Sequence, residues 1–139
     1  MQETINYLRI LVPTAGPVPA RDRADYIMKI AQRLHAEIDV LHIIDKSLVE
    51  TEKMEEGQQA LDIFQYAGER FGVKVRSHLK EGELIPTLIS FANDQQIDLI
   101  VMGASDDGQI VAEWVVSDLK EKTIIPVVIV PYGFSQLLD

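Results

Sequence analysis

The stretch Asp98-Leu99-Ile100-Val101-Met102-Gly103 decides the fold. Its apolar residues follow one another without a polar break, and a glycine ends the run. A strand with one wet face alternates apolar and polar residues, whereas a strand covered on both faces does not. The segment therefore reads as a central strand of a sheet with helices on both sides. Similar runs occur elsewhere. Leu8-Arg9-Ile10-Leu11-Val12-Pro13-Thr14 precedes it, as does Ile38 to Ile44, and Pro126-Val127-Val128-Ile129-Val130-Pro131 follows, bounded by prolines.

Between these runs the period changes. Ala20, Ala24, Ile27, Ala31 and Leu34 recur at helical spacing, and so do Leu61, Phe64, Ala67 and Phe71. Gly72 stands where a helix-terminating glycine belongs. Leu84, Ile85, Leu88, Ile89 and Ala92 form a third stripe, with Pro86 suited to a first helical turn. Ile110, Val111, Trp114, Val115 and Leu119 form a fourth, which makes Trp114 a core residue. The polar stretch Asp45 to Gln59, with Glu50, Glu52, Glu55 and Glu56, reads as a solvated helix start or a loop. Val73, Val75, Ser77 and Leu79 alternate with Lys74, Arg76, His78 and Lys80, which predicts an edge strand with a wet basic face. Strands are expected over 8–14, 38–44, 73–79, 98–103 and 126–131, with helices between them. That alternation gives an α/β fold with an open parallel sheet and helices on both faces.

Composition sets the outer limits. The 139 residues suit one domain, 1–139, with enough chain to bury a core. Hydrophobic residues are 47% and charged residues 25%, as in ordinary globular proteins. With no cysteine there is no disulfide scaffold, thiol nucleophile or thiolate metal site. The 22 acids exceed the 13 Lys and Arg, for a net charge of −9. So acidic a surface repels phosphate backbones and anionic lipid, so neither nucleic acid nor membrane is an expected partner. No apolar run has membrane-spanning length, and Met1 to Asn6 lacks the pattern of a secretory signal. A cytoplasmic protein is the expectation.

In open α/β sheets ligands bind beyond the carboxyl ends of the strands, where strand order reverses. The loops Pro13 to Pro19 and Gly103 to Gln109 are thus the candidates. Neither holds G-x-G-x-x-G, and no G-x-x-x-x-G-K-[ST] occurs in the chain, which weakens the dinucleotide and P-loop readings. Among the histidines, His35 near a helix end reads as a surface residue. His42, in mid-strand, reads as a packed or hydrogen-bonded core residue, and His78 as facing solvent beside Lys74 and Arg76. No two of them have metal-ligand spacing. Asp106-Asp107 beside Ser105 reads as a solvated turn before Gly108 rather than a cation site. Ser105 and Ser117 have no general base nearby in sequence, so nucleophilic catalysis lacks support.

The segments Ile10-Leu11-Val12-Pro13-Thr14, Val40-Leu41-His42-Ile43-Ile44-Asp45, Asp98 to Gly103 and Pro126 to Pro131 resemble, in order, the signature strands of the universal stress protein family. The resemblance covers nearly the whole chain. It implies a five-stranded parallel sheet in the order 3-2-1-4-5 (Rossmann-like, of the adenine nucleotide alpha hydrolase-like kind), usually as a homodimer. It also implies an adenine-nucleotide site in those members that bind nucleotide. Here Ala15 occupies the position of their nucleoside-binding aspartate. Their phosphate loop carries two spaced glycines and, further on, a glycine followed by Ser or Thr. Counted forward from Gly103, those later positions hold Asp106 and then Val116-Ser117. Counted back from Pro126 across this shorter segment, Glu113-Trp114 stands at the final pair. The second register keeps Val115 and Leu119 on the buried face and is the better one. In either register, side chains replace glycines where backbone amides must approach phosphate.

The expected function is therefore a homodimeric signalling or stress-response module without enzymatic activity and without tight ATP binding. The dimer is expected through Val127 to Val130, an uncharged strand poorly protected as a free edge, with a further protein partner implied. Thr14, Ile43, Met102, Gly103 and Ser105 are the candidates for a residual adenosine pocket. No cofactor or metal is expected. The alternative is a stress sensor that binds ATP or AMP with magnesium and hydrolyses it weakly or not at all.

Overall fold

The computed structural model describes residues 7–14, 17–44, 51–103 and 111–130. The elements run β1 (Leu8–Thr14), α1 (Pro17–Leu34), β2 (Ala36–Ile44), α2 (Thr51–Phe71), β3 (Val75–Glu81), α3 (Leu84–Asp94), β4 (Leu99–Gly103), α4 (Val111–Lys122) and β5 (Val127–Val130). The strands form one sheet in the order β3-β2-β1-β4-β5, and every pair is parallel. The continuous apolar runs do mark the strands at and beside the centre, as burial on both faces requires.

The helices divide between the faces. α1 and α2 pack on one side, where Ala24, Ile27, Ala31, Leu61 and Phe64 meet Ile10, Val12, Ile38, Val40 and Val101. α3 and α4 cover the other, where Ile85, Leu88, Ala92 and Leu119 meet Leu11, Leu41 and Ile100. Alternate residues of one strand thus enter separate cores, the period-two consequence of the pleat.

Two helix ends show how the chain is punctuated. Gly72 adopts φ +69°, and the Val73 amide donates to the Gly68 carbonyl at 2.9 Å, which closes α2 with a left-handed cap. α3 ends the same way without glycine: Gln96 takes φ +53°, and the Ile97 amide donates to the Ala92 carbonyl at 2.9 Å. Burial of Ile97 fastens that turn to the core.

Several expectations need correction. β2 begins at Ala36 and β3 spans Val75–Glu81, each displaced by two residues from its expected start. α2 begins at Thr51, so Glu52, Glu55 and Glu56 lie in its first turns, as the helix-start reading of that stretch expects. Leu34 and Leu84, placed on buried stripes, are 41% and 39% exposed at helix ends. The largest departure is the basic face of β3. Arg76 and His78 do not face solvent but turn onto the sheet and bond buried Asp39, while Ser77 and Leu79 on the other side are exposed. The side chain of Trp114 lies outside the described residues.

Candidate functional site

Strand order reverses between β1 and β4. The chain leaving β1 turns to the α1/α2 face, and the chain leaving β4 to the α3/α4 face. In open parallel sheets such a divergence leaves a crevice at the carboxyl ends of the two strands, the place where ligands bind. Thr14 ends β1 and Gly103 ends β4, so both border it. Ile43 and Met102 lie near the ends of β2 and β4, where both are partly buried against the α3/α4 core. The structure therefore brings Thr14, Ile43, Met102 and Gly103 to one end of the sheet, with Thr14 on the opposite face from Ile43 and Met102. Ser105 and the loop positions Ala15, Asp106, Asp107 and Gly108 lie outside the described residues, as do the side chains of Glu113 and Val116.

Beside the crevice, Thr14 and His42 stand opposite each other in the β1–β2 register. His42 Nδ1 is 2.9 Å from Thr14 Oγ1 and 3.2 Å from the Thr14 carbonyl oxygen. A ring nitrogen that donates to the carbonyl fixes the imidazole as its Nδ1–H tautomer. The ring lies under α2 at Gly57, where a Cβ would come within 2.4 Å of His42 Cδ2. Glycine is therefore what lets the second turn of α2 close over the histidine. Burial pushes the His42 pKa below its ordinary 6.5, against the opposing pull of the Thr14 carbonyl and the Glu56 charge. The expectation of a packed, hydrogen-bonded histidine holds.

The charge that sequence reasoning missed lies elsewhere in the sheet. Asp39 on β2 is fully buried. Its carboxylate accepts from Arg9 Nε and Nη2 at 2.9–3.2 Å, from Arg76 Nε and Nη2 at 3.0–3.2 Å, and from His78 Nε2 at 3.0 Å. Arg9 also donates to the Gln95 carbonyl at 2.7 Å, and Arg76 to Glu37 at 2.9 Å. The His78 ring meets the Phe91 ring edge-on at 4.6 Å. Burial alone would raise the Asp39 pKa, but hydrogen bonds from Arg76, Arg9 and His78 outweigh it and hold the carboxyl below 3.8. A signal for this cluster exists in the sequence. Asp39 sets a charge between the apolar Ile38 and Val40 of β2, and Arg9 sets one between Leu8 and Ile10 of the neighbouring β1. A buried charge demands a partner.

This cluster is saturated, so it offers no free acid or base for chemistry. Among the described residues no group of three or more His, Asp or Glu is placed to hold a metal ion. No described helix is long and apolar enough to cross a membrane. Three grooves of about 350–390 Å³ lie away from the β1/β4 crevice: at the amino ends of the strands, between α1 and α2, and between β3 and α3.

Comparison with known proteins agrees with this architecture. The sequence pattern of the universal stress protein family matches residues 6–131. A universal stress protein of Methanocaldococcus jannaschii is 30% identical over 111 residues, which cover 71% of this chain and 65% of that protein. The chain thus spans just under two thirds of that relative. The solved structure of a universal stress protein family member from Burkholderia pseudomallei is 25% identical and superposes with a TM-score of 0.71 over 90% of this chain and 96% of that one. A universal stress protein of Archaeoglobus fulgidus solved in complex with dAMP is 21% identical, with a TM-score of 0.69 over 88% of this chain and 97% of that one.

Proposed function

The chain belongs to the universal stress protein family, and on that premise we propose that it is a homodimeric, non-enzymatic signalling module that does not hold ATP tightly. One observation carries this reading. Among the described residues, the carboxyl ends of β1, β2 and β4 present Thr14, His42, Ile43, Ile44, Met102 and Gly103, without a lysine or arginine. The one titratable group there, His42, is biased toward its neutral form. A triphosphate bound at these strand ends would depend on loop amides and a cation. In sequence the loop after Gly103 carries Asp106 and Asp107, and Ala15 stands at the position of the family's nucleoside-binding aspartate. An acid within about 4 Å of a phosphate costs on the order of a few kcal/mol at an effective dielectric near 20. Every 1.4 kcal/mol lost is about tenfold in affinity.

Calorimetry with ATP and magnesium tests this. The expected result is no saturable binding below about millimolar, with Thr14, Ile43, Met102, Gly103 and Ser105 at most forming a pocket for the nucleoside. Micromolar ATP binding overturns the reading. A second reading, an adenine-nucleotide sensor, is favoured by the Archaeoglobus relative solved with dAMP, whose ligand carries a single phosphate. A thermal-shift comparison of ATP, AMP and cyclic nucleotides separates the two, because the sensor reading requires a shift with at least one of them.

The dimer is proposed through β5. This strand lies at the edge of the sheet, and Val128 and Ile129 are 46% and 39% exposed on the single chain. An uncharged apolar edge invites pairing, and a two-fold related β5 would bond its backbone and cover both side chains. Light scattering is expected to give twice 15.6 kDa. A monomeric mass at micromolar concentration removes this part of the proposal.

A further inference from the structure

We propose that the opposite edge of the sheet, β3 with the groove beside α3, binds an extended acidic segment of a partner protein by strand addition. Among the described residues β3 pairs with β2 alone. The Ile38 amide donates to the Lys74 carbonyl at 2.9 Å, which sets the phase of the ladder. In a parallel strand the amide and carbonyl of one residue point the same way, and neighbouring residues alternate. The peptide groups of Arg76, His78 and Lys80 therefore face β2, while those of Ser77 and Leu79 face outward. Among the described residues no strand pairs with β3 on that side. Ser77 and Leu79 are both exposed. This is a free template of donors and acceptors.

Beside that edge runs a groove of about 350 Å³ lined by Lys80, Thr87, Ser90, Phe91, Asp94 and Gln95. An added strand would send every second side chain into it. Phe91 supplies apolar surface, and the Thr87 and Ser90 hydroxyls supply hydrogen-bonding groups. An edge strand flanked by a helix is the arrangement by which peptide-binding modules capture extended ligands, with main-chain bonds giving affinity and alternate side chains giving specificity.

Charge selects the occupant. The protein carries −9 overall, yet Lys74 precedes β3 and Lys80 lies near its carboxyl end. Among the described residues neither lysine has an ion-pair partner, whereas Arg76 and His78 between them are committed to Asp39. A second copy of β3, paired antiparallel about Ser77, would set Lys74 against Lys80, and like charges opposed across a ladder are destabilising. In that register the edge rejects its own copy, and although Glu81 ends β3 on the α1/α2 face, the face that carries Lys74 and Lys80 favours acids. Six residues at ~3.3 Å each separate the two lysines by about 20 Å, and an even spacing keeps both acids of a partner strand on one face. Asp94 in the groove disfavours an acid between them. The fitting segment carries acids at positions i and i+6 with apolar residues at i+2 and i+4.

The test is fluorescence anisotropy of the full chain with a labelled, end-blocked peptide Glu-Thr-Val-Thr-Phe-Thr-Glu. Saturable binding is expected in the range of tens to hundreds of micromolar, weak as suits one short strand. Shifting the two glutamates to the central positions should lower affinity at least tenfold, and Lys80→Glu should do the same. A peptide with lysine in place of the glutamate that meets Lys80 should regain binding to Lys80→Glu. Leu79→Pro deletes an outward amide and no bond to β2, and is expected to abolish binding while the melting transition persists. Should that variant fail to fold, protection of the Leu79 amide from hydrogen exchange in the wild-type complex reads the same contact. The proposal is overturned by an absence of binding at millimolar peptide. It is also overturned by equal affinity for the peptide with central glutamates, or by binding that leaves the Leu79 amide unprotected.

Discussion

His42 and His78 are near neighbours across the β2–β3 ladder, yet they live in opposite electrostatic worlds. In the register Leu41 meets His78 and His42 meets Leu79, so the two rings point to opposite faces of the sheet. His78 is held in a network with a buried carboxylate and two guanidinium groups. His42 is held by one threonine under a glycine of α2, and burial favours its neutral form. The sheet thus gathers charge on the α3/α4 face, where Arg9, Asp39, Arg76 and His78 match one another, and leaves the crevice-side ends of β1, β2 and β4 nearly uncharged. The first region fastens strands together. The second is the one whose chemistry a ligand would meet, and it offers apolar surface and a hydroxyl rather than a cation.

The largest test of this contrast is Asp39→Ala. It strands Arg9 and Arg76, which are 25% and 29% exposed, opposite a vacated buried site. Breaking a buried ion pair by removing one partner costs about 3–5 kcal/mol. The partial exposure of both arginines puts the expected loss near the low end, about 3 kcal/mol. The urea midpoint at neutral pH measures it, and a loss under about 1 kcal/mol would show that the cluster does not fasten β1 and β3 to β2. Acid should act on the same clasp. The folded pKa of Asp39 lies below its ordinary 3.8, so its contribution is present above 3.8 and is lost as pH falls through the lower folded value.

A smaller effect is expected at the second histidine. Gly57→Ala places a methyl 2.4 Å from His42 Cδ2 and 2.9 Å from Nε2, so the ring or the helix must move. Overpacking costs about 1–3 kcal/mol, and replacing glycine inside a helix returns about 1 kcal/mol. A net loss of about 1 kcal/mol follows from those two terms. In a His42→Ala background the clash is gone, and Gly57→Ala should become stabilising. That change of sign is a coupling that independent sites do not show. A Gly57→Ala penalty that survives in the His42→Ala background would mean that the helix is not seated on this ring.

The two regions also differ in how far the sequence reveals them. The near-continuous apolar runs of β1, β2, β4 and β5 lead to the parallel sheet, because burial on both faces is a local property of each strand. The position of Thr14, Ile43, Met102 and Gly103 at one end of the sheet follows from the same alternation. The Asp39 cluster is different in kind. Its partners come from β1 and β3, 30 and 37 residues away along the chain. No local period links them. Arg76 and His78 fall on the polar side of an alternating strand, which looks the same in sequence whether that side meets water or a buried carboxylate. The irregularity that could have pointed there was Asp39 itself, a charge between Ile38 and Val40. Gly57 was equally silent, since a glycine in a helix shows its purpose only when the ring beneath it is known.

The smallest expected effect is the pH response of His42, and it discriminates between the two histidine environments most directly. Burial lowers the folded pKa of His42 below 6.5, so the folded state favours the neutral ring. The unfolded chain then binds more protons than the folded one as pH drops past 6.5, and stability must fall with it. The contribution is present above 6.5 and lost as pH falls through the lower folded value. Asp39 titrates in a separate window, below 3.8, so it does not contribute between pH 7.5 and 5.5. Comparing unfolding free energies of wild type and His42→Gln at those two pH values isolates the term. Wild type should lose more stability on acidification than the variant, by less than the Gly57→Ala penalty, because a partly exposed ring can still be hydrated when it charges. An equal loss in both proteins would mean that the ring is as free to charge in the folded state as in water. The crevice would then gain a cation as pH falls through the ordinary imidazole range, and these strand ends would lack one for a phosphate only above that range.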